Sequence, residues 1–248
     1  MNHFEHCDAL EIEVERFAAV LAVVSLDAPV IGCPGWEVRD VAEHLGKVHR
    51  WATELVRRRA STRLTMMELG VEAGESSRQW ISEGGGRLVE TLRTANPDDT
   101  MWAWGSDQHV RFWSRRQLHE TLVHRMDIEL AAGIEPDGAS DVAVDAIDEL
   151  LENLSNVNRF SSGVAESRGT GVRLGICELD TGTQWTVTLN EYGFDVARGG
   201  AGVDAEINGR SNELLLAIYR RRKPGERGVT VEGDVRIADD WLARSALK

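Results

Sequence analysis

The hydrophobic period of this chain changes once, and that change limits what it can fold into. Up to about residue 160 the apolar residues recur at intervals of three and four. From about residue 170 they alternate, in runs rich in β-branched side chains. A period near 3.6 lines one face of a helix, whereas a period of 2 lines one face of a strand. The intervening Ser161–Gly171 stretch is rich in Gly and Ser, as domain boundaries are. Its 248 residues are enough to bury two cores. The expected fold class is therefore α+β in two domains, a helical bundle over residues 1–160 and a small α+β domain with an antiparallel sheet over residues 170–248.

Within the first part, Leu10, Val14, Phe17, Leu21 and Val24 predict an amphipathic helix ending near Ser25. After the break at Cys33-Pro34-Gly35-Trp36, a second helix is expected from about Val38 to Arg59. Its stripe is Val41, His44, Val48, Trp51 or Ala52, and Leu55. His44 in that stripe is open to two readings, a core histidine bonded to a carbonyl or a metal ligand. His49 falls off the stripe and is expected to be solvated. A third helix is expected from about Val71 to Thr94, with a kink or a division at Gly84-Gly85-Gly86, where each glycine costs about 1 kcal/mol relative to Ala. Those glycines are not a phosphate loop, because no strand precedes them and no Gly-Lys-Ser/Thr follows. Trp102, Trp104 and Trp113 are expected to pack over the bundle end, with a pocket mouth as the alternative.

The stretch from Ser114 to Gly133 carries the densest chemistry. Ser114 is expected to cap a helix that Gly133 terminates. On it Leu118, Leu122, Met126 and Leu130 form one stripe, and Glu120, His124 and Asp127 form another at i, i+4 and i+7. A carboxylate and an imidazole one turn apart can reach a common point beside the helix, which is half of a divalent-metal site. Asp127 either orients His124 or pairs with Arg116 or Arg125. Beyond a loop, Ser140 is expected to cap a helix with the stripe Val144, Ile147, Leu151, Leu154 and Val157, its carboxylates Asp141, Asp145, Asp148, Glu149 and Glu152 following the solvated face and the helix start.

In the second part the expected strands are Val172–Leu179, Gln184–Leu189, Tyr192–Ala197 and Gly202–Ile207, arranged as an antiparallel meander. A helix from about Ser211 to Arg222, a strand Val229–Glu232 and a helix from about Asp239 to Leu247 follow.

Lys plus Arg number 28 against 41 for Asp plus Glu, a net charge of −13, which argues against phosphate backbones and anionic lipid as partners. Cys7, Cys33 and Cys177 are far apart, so neither a disulfide framework nor a thiolate zinc site is indicated. The N-terminus lacks the apolar core of a signal sequence, and no run approaches the roughly 18 apolar residues of a spanning helix, so a cytoplasmic protein is expected.

Trp36-Glu37-Val38-Arg39-Asp40 followed by His44-Leu45, then Phe112-Trp113-Ser114-Arg115-Arg116 with His119-Glu120 and Val123-His124-Arg125-Met126-Asp127, resembles the bundle of the mycothiol-dependent maleylpyruvate isomerases, a branch of the DinB-like metal proteins. The similarity runs on through Asp145–Leu150. Asn208–Arg222 and Val231–Asp234 resemble that family's sterol-carrier-like C-terminal domain. Glu37 stands where the family has Ser or Thr as a helix cap.

The resemblance implies a DinB-like four-helix bundle and a divalent metal, zinc first among candidates, held by His44, Glu120 and His124. It also implies mycothiol as the thiol cofactor. Such an ion keeps an incoming thiol as thiolate for isomerisation of a small electrophilic substrate or for thiol transfer. Among Arg220, Arg221 and Arg222, the family's arginine toward the interdomain cleft matches Arg221, which is assigned to a substrate carboxylate. A solvated run complementing a helix C-terminus is the plain alternative. The rival functions are a DinB-like metal-dependent hydrolase and a non-enzymatic small-ligand binder. A nucleophilic Cys33 has no support, as no histidine is placed by sequence to activate it.

Overall fold

The computed structural model describes residues 1–71, 74–154 and 162–245. Two compact units divide the chain, Met1–Pro136 and Asp137–Lys248.

In the first unit, α1 (His3–Leu21) opens on a reciprocal cap. The Asn2 side chain accepts from the Phe4 and Glu5 amides, and the Glu5 carboxylate accepts the Asn2 amide at 2.6 Å. Its stripe Leu10, Val14, Phe17 and Leu21 is buried as expected. α2 (Val38–Arg58) begins after Glu37. There the Asp40 carboxylate accepts the Glu37 amide at 2.8 Å. Arg59, left-handed at φ 45°, ends the helix.

α3 (Arg78–Thr94) starts at Ser77, whose hydroxyl accepts the Trp80 amide, and runs unbroken through the three glycines. The expected kink does not form. Gly84 and Gly85 are instead buried where a Cβ would run into Arg50 of α2 and Val14 of α1, so their lack of a side chain lets three helices approach closely.

α4 (Val110–Ala131) begins five residues earlier than a cap at Ser114 implies, with His109 at the cap position. Ser114 is an interior residue, fully buried and 2.9 Å from His3 Nδ1. Gly133 takes the left-handed conformation expected of it, φ 70°. α4 is covered on more than one side, and Arg125, with no exposed surface, pairs with Glu13 of α1 and with Glu129. Trp51, Trp102 and Trp113 pack edge-on or tilted at centroid distances of 5.3 to 6.1 Å, and Trp104 packs on Phe112. These tryptophans are packing residues. α1 to α4 thus form the four-helix bundle, with Phe17, Leu21, Val38, Val41, Leu45, Ile81 and Ile128 in one core cluster.

The second unit begins earlier than residue 170. α5 (Ser140–Asn153) packs on α7 (Ser211–Ile218) rather than closing a helical domain at residue 160. Asp148 explains the attachment. It accepts the Trp185 indole N–H at 2.6 Å and pairs with Arg198, so it is buried, and Glu149 is buried with it. Both were expected on the solvated face. Val157 lies outside the described residues. A short helix α6 (Ser162–Ala165) precedes the sheet.

The sheet contains β1 (Arg173–Glu178), β2 (Gln184–Asn190), β3 (Gly193–Arg198), β4 (Ala205–Gly209) and β5 (Thr230–Gly233), in the order β3-β2-β1-β4-β5. β1 to β3 form the expected antiparallel meander, but β4 crosses to the free edge of β1 and pairs with it in parallel. The sheet is therefore mixed. The register aligns Leu174 with Val187 and Ala205, and Ile176 with Trp185 and Ile207, so one apolar face is continuous across three strands.

α7 stops at Ile218 rather than Arg222, because Arg220 is left-handed at φ 59°. α8 runs over Val235–Ser245, starting ahead of Asp239; Leu247 lies outside the described residues. Among the described residues no helix is long and apolar enough to cross a membrane.

Candidate metal centre

Helical spacing places Glu120 and His124 on one face of α4, and the packing of α2 on α4 brings His44 to them. His44 Nε2 lies 3.2 Å from Glu120 Oε1, and His124 Nε2 lies 3.4 Å from the same oxygen. The two rings stand edge to face with centroids 5.1 Å apart. Two imidazole nitrogens and one carboxylate oxygen thus converge. Zinc bound tetrahedrally at about 2.0 to 2.2 Å separates N and O ligands by roughly 3.3 to 3.6 Å, within about 0.1 Å of these contacts. This donor set fits a divalent ion with positions left open.

The surrounding residues fix each donor. His124 Nδ1 is 3.1 Å from Asp127 Oδ2, an acceptor, so Nδ1 carries a proton, and Nε2 faces Glu120. Asp127 is 1% exposed, so it is not a surface residue, and it pairs with His124. Arg116 instead holds Glu120 Oε2 at 3.0 Å, while its guanidinium lies 5.9 Å from the Trp104 ring centre. Trp36 packs edge-on against the His44 ring at 5.2 Å. His44 itself is half-buried at the rim of the α2 face.

The electrostatics follow from this cage. Burial acts to raise the Glu120 pKa, but hydrogen bonds from His124 and His44 and the charge of Arg116 hold it well below the usual carboxylate range. Burial acts to lower the His124 pKa, but Asp127, Cys33 and Glu120 raise it well above that of free histidine. In the absence of an ion the two form a charged pair.

Two neighbours were misjudged from sequence. His49 is wholly buried rather than solvated, 2.9 Å from Thr121 Oγ1, and burial pushes its pKa down to about 3. Cys33 is not isolated from histidine. Its Sγ lies 3.7 Å from Asp127 Oδ2, and Cys33, His124 and Asp127 each offer a ligand atom within 4.8 Å of the others. Nothing in the sequence signals this, because Cys33 sits in a loop and meets α4 only through tertiary packing. Arg221 belongs to the second unit, where it donates to the Tyr219 carbonyl at 2.8 Å. Arg222 is buried and paired with Glu213 at 2.9 Å.

Residues 7–129 match the family model described as the mycothiol maleylpyruvate isomerase N-terminal domain. Two solved structures, of the mycothiol-dependent maleylpyruvate isomerase and of a histidine-to-alanine mutant of it, each match with a TM-score of 0.61 at 12% identity. Each match covers 94% of this chain and 93% of theirs. No curated protein matches the sequence. The helical unit therefore belongs to the family of mycothiol maleylpyruvate isomerase N-terminal domains, in a chain that has the fold of the mycothiol-dependent maleylpyruvate isomerase along nearly its whole length.

Proposed function

We propose that this protein is a divalent-metal enzyme that uses mycothiol to act on a small electrophilic substrate, by cis–trans isomerisation or by thiol transfer. The observation that carries the proposal is the convergence of His44 Nε2 and His124 Nε2 on Glu120 Oε1. His44, Glu120 and His124 hold the ion, with zinc the first candidate for a set of two nitrogens and one oxygen. When bound, the ion holds a thiol deprotonated at neutral pH.

The protein's own groups do the rest. Asp127 keeps the His124 proton on Nδ1, and Arg116 anchors Glu120 Oε2 so that Oε1 stays turned toward the imidazoles. Both tasks fix donors before any ligand arrives, which lowers the cost of assembling the site. When bound, the thiol would supply a nucleophilic sulfur for reversible addition to an electrophilic double bond, as cis–trans isomerisation requires, or for transfer to the product. The relatives' name makes maleylpyruvate the first substrate to test, and its carboxylates call for a cation, for which we assign Arg221.

Calorimetry of the zinc-loaded protein with mycothiol, repeated in buffers of different ionisation enthalpy, tests the proposal. Binding is expected to release a proton at a pH well below the pKa of the free thiol. Absence of binding, or binding without proton release, refutes the thiolate reading and moves metal-dependent hydrolysis ahead. Binding without turnover of maleylpyruvate makes thiol transfer the better reading.

A further inference from the structure

The His124 imidazole has two faces, and each meets a different set of donors. Nε2 faces Glu120 and His44, whereas Nδ1 faces Asp127 Oδ2 at 3.1 Å, with Cys33 Sγ 3.7 Å from that same oxygen. We propose that Cys33, Asp127 and His124 Nδ1 form a second cation position, selective for thiophilic d10 ions such as Cd2+, and exclusive of the first because both draw on one imidazole.

The three donors are close enough to share an ion. Sulfur at about 2.3 Å and nitrogen or oxygen at about 2.1 Å from a tetrahedral zinc lie roughly 3.4 to 3.6 Å apart, and the larger Cd2+ asks for a few tenths of an ångström more. The N–O contact of 3.1 Å and the S–O contact of 3.7 Å would open by that small amount, and all three ligand atoms lie within 4.8 Å of one another. Asp127 is 1% exposed and His124 8%, so the position is largely enclosed, while half-buried Cys33 leaves a way in. The donor sets also differ in softness. Two nitrogens and an oxygen suit zinc, whereas a thiolate adds a strong preference for softer ions.

Exclusivity follows from the tautomer. A neutral imidazole has one ring lone pair available, so an ion on Nε2 requires the proton on Nδ1, where Asp127 accepts it. An ion on Nδ1 requires the proton on Nε2, where Glu120 Oε1 accepts it from 3.4 Å. On binding at the second position the Cys33 thiol proton and the His124 Nδ1 proton leave to solvent, the S–Cd and N–Cd bonds form, and the Nε2 proton stays on the ring, accepted by Glu120 Oε1. Occupying both positions would need an imidazolate. This inference does not depend on mycothiol use.

The test is titration of the metal-free full chain with Cd2+, followed by the ultraviolet sulfur-to-cadmium charge-transfer band and by the rate of Cys33 alkylation by iodoacetamide, mapped by mass spectrometry. The expected result is one bound Cd2+ with a thiolate band and at least tenfold protection of Cys33. The band should vanish in Cys33→Ser and persist in His44→Ala, which lacks a ligand of the first position only. The alkylation measurement needs no variant, so it stands even if Cys33→Ser folds poorly. No band and no protection would overturn the proposal, and so would a band retained in Cys33→Ser, which would place the ion at another cysteine. Loss of the band in His44→Ala would show Cys33 to be a further ligand of the first position. Two Cd2+ ions per chain would overturn the exclusivity. Zinc content of His44→Ala, read separately, reports on the first position and so keeps the two questions apart.

Discussion

His49 gives the protein a specific acid sensitivity whose size can be worked out. Its ring is fully buried, and burial is the main cause holding its pKa down to about 3. Arg50, His124 and His44 act in the same direction and Glu120 opposes them. In the unfolded chain the same group titrates near 6.5. Its folded pKa is therefore depressed, so between the two values the unfolded state binds a proton that the folded state does not. Stability is fully present above about pH 6.5 and falls as the pH drops, at about 1.4 kcal/mol per pH unit. From pH 7 to pH 5 the protonation gap covers roughly 1.5 units, a loss of about 2 kcal/mol.

The perturbation that isolates this loss is His49→Gln. Thr121 gives its hydroxyl hydrogen to the Gln117 carbonyl at 2.7 Å, so its oxygen accepts from His49, and a glutamine amide can still donate to it without titrating. Urea unfolding of the metal-free protein at pH 7 and pH 5 should show the wild type losing about 2 kcal/mol more than the variant, the carboxylate contributions cancelling in the comparison. Equal losses in the two proteins would refute the claim that His49 is held neutral.

Three further outcomes are expected. Asp127→Asn should weaken zinc binding by about 10- to 100-fold in a chelator competition, because it disturbs the group that orients His124; unchanged affinity would remove Asp127 from that role. Arg125→Ala should destabilise the bundle by about 3 kcal/mol in urea unfolding, since it removes the buried cation of Glu13 and Glu129 and leaves them the half-exposed Arg16 at 3.8 and 3.7 Å; a loss below about 1 kcal/mol, the range of exposed ion pairs, would contradict this. Gly85→Ala should cost about 1 to 3 kcal/mol despite the better helix propensity of Ala, because its Cβ meets Val14; a stabilised variant would show that α1 and α3 can separate freely there.

What could be read from local order was what local spacing controls. The interval from Glu120 to His124 is one helical turn, so a shared face was certain once α4 was recognised, and alternation located the strands because a strand's two faces are set residue by residue. Which faces then meet is another matter. His49 lies off the apolar stripe of α2, yet it is buried because α4 covers that side and Thr121 receives its ring N–H. Asp148 sits in an acidic helix that looked solvated, and becomes internal only when Trp185 and Arg198 arrive from the sheet. β4 pairs in parallel with β1 because the chain returns to the far edge of the sheet, a choice that no alternation pattern encodes. His44 was ambiguous on its own helix, and Cys33 carried no signal in its loop. Both reach His124 only through packing between segments distant in sequence, since contacts of that kind depend on how helices and loops stack and not on the order of residues along any one of them.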